Sequence, residues 1–201
     1  MFFPIKPKNT PGRDTHAYWE NFLSDKEIDQ ILSDSAWKDS YQAHVQNSEG
    51  KGVVDKKYRS TDIGWLTVRA DTINLWEKVS EAFADVNSRF FQYNLTGFFE
   101  EMQLGLYKED DRGHYTWHSD DSIGSGPVPT RKLSMAMLLS DPSEFEGGEL
   151  QLRLPNDEIR TLEMKKGRAW FFPSYTQHRV TPVTKGIRKS LVVWAGGPQF
   201  K

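Results

Sequence analysis

The chain has 201 residues, with 26 Lys and Arg against 28 Asp and Glu for a formal net charge of −2. That length fits one sizeable domain or at most two small ones, and the near-zero charge argues against a surface dominated by nucleic acid or anionic membrane. With no Cys, a disulfide framework, a thiolate nucleophile and any zinc or iron–sulfur site built on Cys are excluded, so a metal here needs His, carboxylate and water. The opening Met1-Phe2-Phe3-Pro4-Ile5-Lys6 lacks the charged and apolar regions of a signal peptide. No run approaches the roughly 20 apolar residues of a membrane span. The expectation is a soluble, cytoplasmic protein.

In chain order, Ser24-Asp25-Lys26-Glu27 predicts a capping box, a Ser cap with Glu at the third helical position, followed by Ile28, Ile31 and Leu32 at helical spacing. Gly50, Gly52 and their polar neighbours make 42–57 a long exposed loop, either a lid or a simply disordered segment. A longer helix starts near Asp71, where Leu75, Val79, Phe83, Val86 and Phe90 form one apolar stripe suited to packing on a sheet. From Phe98 the period becomes that of strands: 98–107, 113–118, 131–139, 149–154, 158–164, 168–173, 177–184 and 187–195. Between them lie the turn signals Gly124-Ser125-Gly126-Pro127, Gly147-Gly148, Pro155-Asn156-Asp157, Gly167 and Lys185-Gly186. Eight short strands with such turns predict a mainly β (α+β) chain, a jelly-roll barrel with the N-terminal helices on one outer face.

His118 and Asp120 stand two apart at the end of a predicted strand, so their side chains share a face. His178 begins a later strand and completes a set of two imidazoles and one carboxylate. That set with open positions opposite is the preferred arrangement for non-haem Fe(II) that activates oxygen. A His-x-Asp pair alone also fits a surface hydrogen-bonded pair. Ten residues past His178, Arg188 shares strand parity with Ser190, Val192 and Trp194, which makes a buried face plausible for it. A buried Arg needs an anion, and a bound carboxylate satisfies its planar fork, with the Ser190 hydroxyl adding a bond. A structural ion pair, or reversed parity with Arg188 in solvent, is the competing arrangement.

Together these features resemble the Fe(II)- and 2-oxoglutarate-dependent dioxygenases, specifically their prolyl 4-hydroxylase-like branch. The resemblance runs from about Asn21 to Gly197 and is strongest over 104–195. It is carried by Leu104-Gly105-Leu106-Tyr107 ahead of His118-Ser119-Asp120, by Glu146-Gly147-Gly148-Glu149-Leu150, by Lys166-Gly167-Arg168-Ala169-Trp170-Phe171-Phe172-Pro173, and by Val180 to Trp194. It implies a double-stranded β-helix (98–197) supported by 1–97 in a single domain over 1–201. It implies His118, Asp120 and His178 as Fe(II) ligands, Arg188 as the anchor for the distal carboxylate of 2-oxoglutarate, and Tyr107 as a further co-substrate contact. The implied cofactors are Fe(II), 2-oxoglutarate and O2, with ascorbate as an allowed auxiliary.

Two departures stand out. Collagen-type prolyl hydroxylases usually carry Lys where Arg188 stands. Leu138 falls near a position where some relatives carry a Tyr that touches 2-oxoglutarate, a bond that Ser190 would have to replace. Tyr58-Arg59-Ser60-Thr61 resembles the strand lining the peptide groove of prolyl hydroxylases, and Trp194 lies six residues past the anchor as in that branch. Both imply a proline-containing peptide or protein as substrate, with Arg59 and Trp194 as contacts. The expected reaction is hydroxylation of an aliphatic C–H with release of succinate and CO2. A free amino acid or small metabolite is the alternative substrate; a non-catalytic, cupin-like metal or sugar binder is the alternative of another class. No nucleic acid is expected as a partner, since no Arg follows Arg188, and no membrane.

Overall fold

A computed structural model describes residues 14–46, 51–121 and 129–199. In chain order the strands are β1 (Ala17–Trp19), β2 (Tyr41–Gln42), β3 (Val45–Gln46), β4 (Gly52–Val53), β5 (Arg59–Ser60), β6 (Asp62–Leu66), β7 (Met102–Lys108), β8 (His114–His118), β9 (Thr130–Leu138), β10 (Phe145–Gly147), β11 (Leu150–Arg153), β12 (Ile159–Thr161), β13 (Ala169–Pro173), β14 (His178–Val180) and β15 (Val183–Gly197). Two α-helices, α1 (Asp25–Leu32) and α2 (Ile73–Val86), precede the barrel strands. The larger sheet runs β1-β13-β9-β15-β7-β6-β2, with β10 also paired to β15, and the smaller runs β12-β11-β14-β8-β5. The two sheets form a double-stranded β-helix.

Strand parity assigns the two faces of the larger sheet. Leu133, Met135, Met137, Phe171, Leu191 and Val193 point outward into one apolar cluster with Ile28 and Ile31 of α1 and Trp76, Val79, Phe83 and Val86 of α2. Phe83 meets Phe98 and Phe171 edge to face. Tyr107, Ala136, Trp170 and Phe172 face the other way and meet Leu150, Leu152 and Val180 of the smaller sheet. The helices therefore cover the outer face, as expected, and the space between the sheets is left for the site.

The capping box forms: Ser24 and Glu27 satisfy each other's backbone N–H groups at the start of α1. The helical stripe is present, with Trp76 and Ala82 in its buried part and Leu75 only half-buried. Phe90 lies past the α-helix in a π-helical turn, Asn87–Phe91.

Several expected boundaries shift. The first barrel strand starts at Met102 rather than 98, and the 158–164 strand shortens to Ile159–Thr161. The expected strand 177–184 is split, because Pro182 has no N–H to give a ladder: His178–Val180 pairs in the smaller sheet while Val183 begins β15 in the larger. Lys185-Gly186 is no turn. Gly186 lies inside β15 at φ +73°, where a Cβ would sit 2.0 Å from the Glu144 carbonyl oxygen. The local register skips Thr184, a bulge that bends the strand without reversing it. The 42–57 segment is not a bare loop, since β3 and β4 pair within it. Residues 47–50, and the expected turn at Gly124-Ser125-Gly126-Pro127, lie outside the described residues. No helix among the described residues is long and apolar enough to cross a membrane.

Glu27 ties α1 to α2 through Lys78 Nζ, 2.7 Å from Oε1. Burial pushes its carboxyl up, but hydrogen bonds from Lys78 and Ser24 outweigh it and bring the pKa from 4.5 to about 2. Stability from this group is complete above 4.5 and is lost as pH falls from there towards about 2. Glu27→Gln is expected to flatten that part of the acid-unfolding profile, by about 1 kcal/mol or less since solvent screens the pair. An unchanged profile in chemical denaturation at stepped pH would contradict the link.

Candidate active site

β8 and β14 bring the two histidines together, with His178 directly opposite His118 in the ladder. Two residues further along β14, Val180 faces Tyr115, three positions back on β8, so β8 carries one extra residue. This bulge turns Tyr115 inward beside His118, and the two rings stack with centroids 3.4 Å apart. Asp120 follows in the loop beyond β8, its N–H donating to the Ser174 carbonyl at 2.8 Å. His118 Nε2 lies 3.7 Å from Asp120 Oδ1, and His178 Nε2 lies 3.5 Å from Oδ2. One ligand atom from each of the three residues falls within 4.8 Å of the others.

The imidazoles are oriented alike. His118 Nδ1 is 2.8 Å from the Thr116 carbonyl and His178 Nδ1 is 2.9 Å from the Thr176 carbonyl. A carbonyl only accepts, so each Nδ1 carries a proton and each Nε2 is the ring atom turned to the cluster. Burial, then the neighbouring His178, pushes the His118 pKa down to about 3, which keeps its ring neutral near pH 7. Burial disfavours charge on Asp120, but His178, His118, the Ser134 hydroxyl and the Trp194 indole outweigh it and hold the carboxyl below its ordinary pKa. Two imidazole nitrogens and one carboxylate can hold a divalent metal of the iron type.

Arg188 lies on the inner face of β15, as its parity with Val192 and Trp194 predicts, and is only 2% exposed. Its Nε and Nη1 have no hydrogen-bond partner, and no carboxylate pairs with it among the described residues. Burial pulls its pKa down from the ordinary value. Tyr107, on β7, places its ring 5.0 Å from the guanidinium carbon. The buried Ser190 hydroxyl is also unpartnered. Gly105 keeps this corner open, since a Cβ there would lie 2.9 Å from Ser190 Oγ. Gly148, at φ +61°, passes so close that a Cβ would lie 2.8 Å from Arg188 Cδ. The unpartnered donors fit a carboxylate ligand.

Arg59 and Trp194 also line this cleft, so all eight residues singled out in the sequence border one space of about 1390 Å³. Arg59 Nη2 donates to Gln103 Oε1 at 2.8 Å, and its guanidinium sits 4.3 Å over the Tyr115 ring. Trp194 is covered by Arg131 at 4.0 Å, and Arg131 is paired with Glu100. The sequence reading missed Ser134, Ser174 and Tyr115. Ser134 donates to Asp120 Oδ2 at 2.7 Å and lies 2.9 Å from Ser174 Oγ, all of it buried. The available signal was a lone Ser inside the apolar run Leu133–Leu138; the bulge that turns Tyr115 inward left no sequence mark.

Residues 102–196 match the profile of the 2OG-Fe(II) oxygenase superfamily. This segment is a 2OG-Fe(II) oxygenase domain. The cofactors of that superfamily are Fe(II), 2-oxoglutarate and O2. A PKHD-type hydroxylase of Idiomarina loihiensis is 41% identical over 93 residues, covering 46% of this chain and 40% of the relative. One from Colwellia psychrerythraea is 37% identical over 83 residues, covering 41% and 37%. The chain thus spans about two fifths of the length of the curated relatives it matches. Among solved structures, a Pseudomonas putida prolyl-4-hydroxylase superposes with TM-score 0.72 at 19% identity, over 91% of this chain and 93% of that one. A Trichoplax adhaerens prolyl hydroxylase, solved with a hypoxia inducible factor peptide fragment, gives 0.70 at 19% identity, over 90% and 83%. These likenesses show the oxygenase fold.

An unpaired buried guanidinium costs the ligand-free protein stability. Arg188→Met is therefore expected to raise the unfolding midpoint of the metal-free, ligand-free protein. A clear fall in that midpoint would mean the guanidinium is already compensated.

Proposed function

We propose that this oxygenase domain hydroxylates an aliphatic C–H, most directly a prolyl residue in a peptide or protein, and releases succinate and CO2. The observation that carries the reading is the convergence, in one cleft, of three metal-competent ligand atoms and a buried Arg188 with free donors. In this reading 98–197 is the catalytic core and 1–97 its support, in one domain.

His118 Nε2, His178 Nε2 and one Asp120 oxygen would hold Fe(II), leaving its other side open to 2-oxoglutarate and O2. Bound together, iron and keto acid supply the oxidising chemistry that removes a hydrogen from carbon. The protein does the rest. Arg188 holds the distal carboxylate of 2-oxoglutarate through its free Nε and Nη1, with Tyr107 bounding the same corner. Leu138, opposite Ser190 in the ladder, supplies no hydroxyl, so the unpartnered Ser190 Oγ takes that place. Ser134 binds one Asp120 oxygen and leaves the other for the metal, which favours monodentate ligation and keeps an open position. Arg59 and Trp194 line the part of the cleft left for substrate. The peptide complex of the Trichoplax protein supports a peptide in that space here. The cupin-like binder is disfavoured because it has no use for an unpaired carboxylate anchor.

Succinate release, measured with Fe(II), 2-oxoglutarate and ascorbate, should rise with proline-containing peptides and stay at background with free amino acids and methylated oligonucleotides. His178→Ala or Asp120→Ala should abolish it. Ser134→Ala should weaken Mn(II) binding, read by electron paramagnetic resonance, by about 10- to 100-fold, with Ser134→Thr restoring part of it. Unchanged turnover in either ligand variant would reject the assignment, and release that follows free amino acids would move the substrate to a small metabolite.

A further inference from the structure

Outside the metal and co-substrate positions, the smaller sheet carries a pair of cations with no counter-ion among the described residues, next to residues that line the cleft. Arg153 ends β11 and Arg179 is the middle residue of β14. The guanidinium carbon of each lies 4.7 Å from the centre of the Trp117 ring. Each is held by a neutral amide: Arg153 Nη1 donates to Gln177 Oε1 at 3.0 Å, and Arg179 Nε donates to Gln151 Oε1 at 2.8 Å. Neither has an ion-pair partner among the described residues. The nearest carboxylate along this chain of bonds, Glu149, is engaged by the Gln151 amide at 2.9 Å. Trp117 and Gln177 both line the cleft, and each cation touches at least one of them, from the outward-facing side of the smaller sheet.

Attraction to the ring face holds each guanidinium in place, yet two like charges gathered on one indole repel. Each guanidinium gives one N–H to an amide oxygen and has further donors, for which a carboxylate is the planar, bidentate match. The geometry points to Arg153, Trp117 and Arg179 as a subsite for an acidic side chain of the substrate peptide, flanking the residue that enters the cleft. This rests on the peptide-hydroxylase reading above. The subsite selects among peptides by sequence; it touches no reacting atom.

The test is isothermal titration of the anaerobic protein, loaded with Mn(II) and 2-oxoglutarate, with proline-containing peptides. Glu is placed in turn at each of five positions on either side of the proline, and each peptide is matched by one with Gln at that position. At low salt, Glu at one or two positions should tighten binding about fivefold over Gln, the scale of an exposed ion pair. The preference should shrink towards unity in 0.5 M salt and in the Arg153→Gln/Arg179→Gln variant. Equal binding of Glu and Gln peptides at every position, no binding by any peptide, or a preference that survives in the variant overturns the subsite. If the variant fails to fold, the charge series and salt dependence of the unaltered protein decide alone. Succinate release on the same peptides separates the outcomes: a Glu preference without turnover sinks the hydroxylase reading and leaves the acidic subsite standing.

Discussion

A guanidinium taken out of water without a counter-ion costs several kcal/mol, and the interior of this barrel is arranged around one. Arg188 is held there by β15, whose alternate residues line the cleft while Leu191 and Val193 are locked under the helices. The outer core leaves the strand no freedom to turn the charge into solvent. Gly148 and Gly105 have no side chains where a Cβ would press on Arg188 Cδ or Ser190 Oγ. In the proposed function the free donors are tolerable because their partner arrives as a ligand.

The metal cluster has a different economy. Its three members are buried and close, but each is satisfied: both Nδ1 atoms meet carbonyls, and Ser134 caps one carboxylate oxygen. Fixing both rings through Nδ1 turns their Nε2 atoms to the centre in advance, so little reorganisation of the side chains accompanies metal binding. One wall of the site is thus saturated and preorganised while the wall at Arg188 is left open. In the proposed function the open wall suits a ligand that comes and goes with each turnover, and the saturated one a metal that stays.

Much of this was legible in the residues. Period two placed Arg188, Ser190, Val192 and Trp194 on one face, and the His-x-Asp spacing brought His118 and Asp120 together where a strand ends. The apolar stripe of α2 and the Ser24–Glu27 box were likewise visible, because each rests on local periodicity or a local hydrogen bond. What escaped notice depends on pairing between distant segments. The Gly186 bend looks like a hairpin turn until its partner strand, β10, is known. Pro182 was readable as a ladder breaker, but not as the point where the chain passes from one sheet to the other. Ser134 matters only because Asp120 and Ser174 converge on it from 14 and 40 residues away.

The direct test of the central claim is a crystal structure of the protein soaked with Mn(II) and 2-oxoglutarate, with anomalous scattering locating the metal. The account predicts one strong peak bonded to His118 Nε2, His178 Nε2 and a single Asp120 oxygen, with the far carboxylate of the keto acid on the Arg188 guanidinium. Metal density elsewhere, or a keto acid that leaves Arg188 without an oxygen partner, would contradict it.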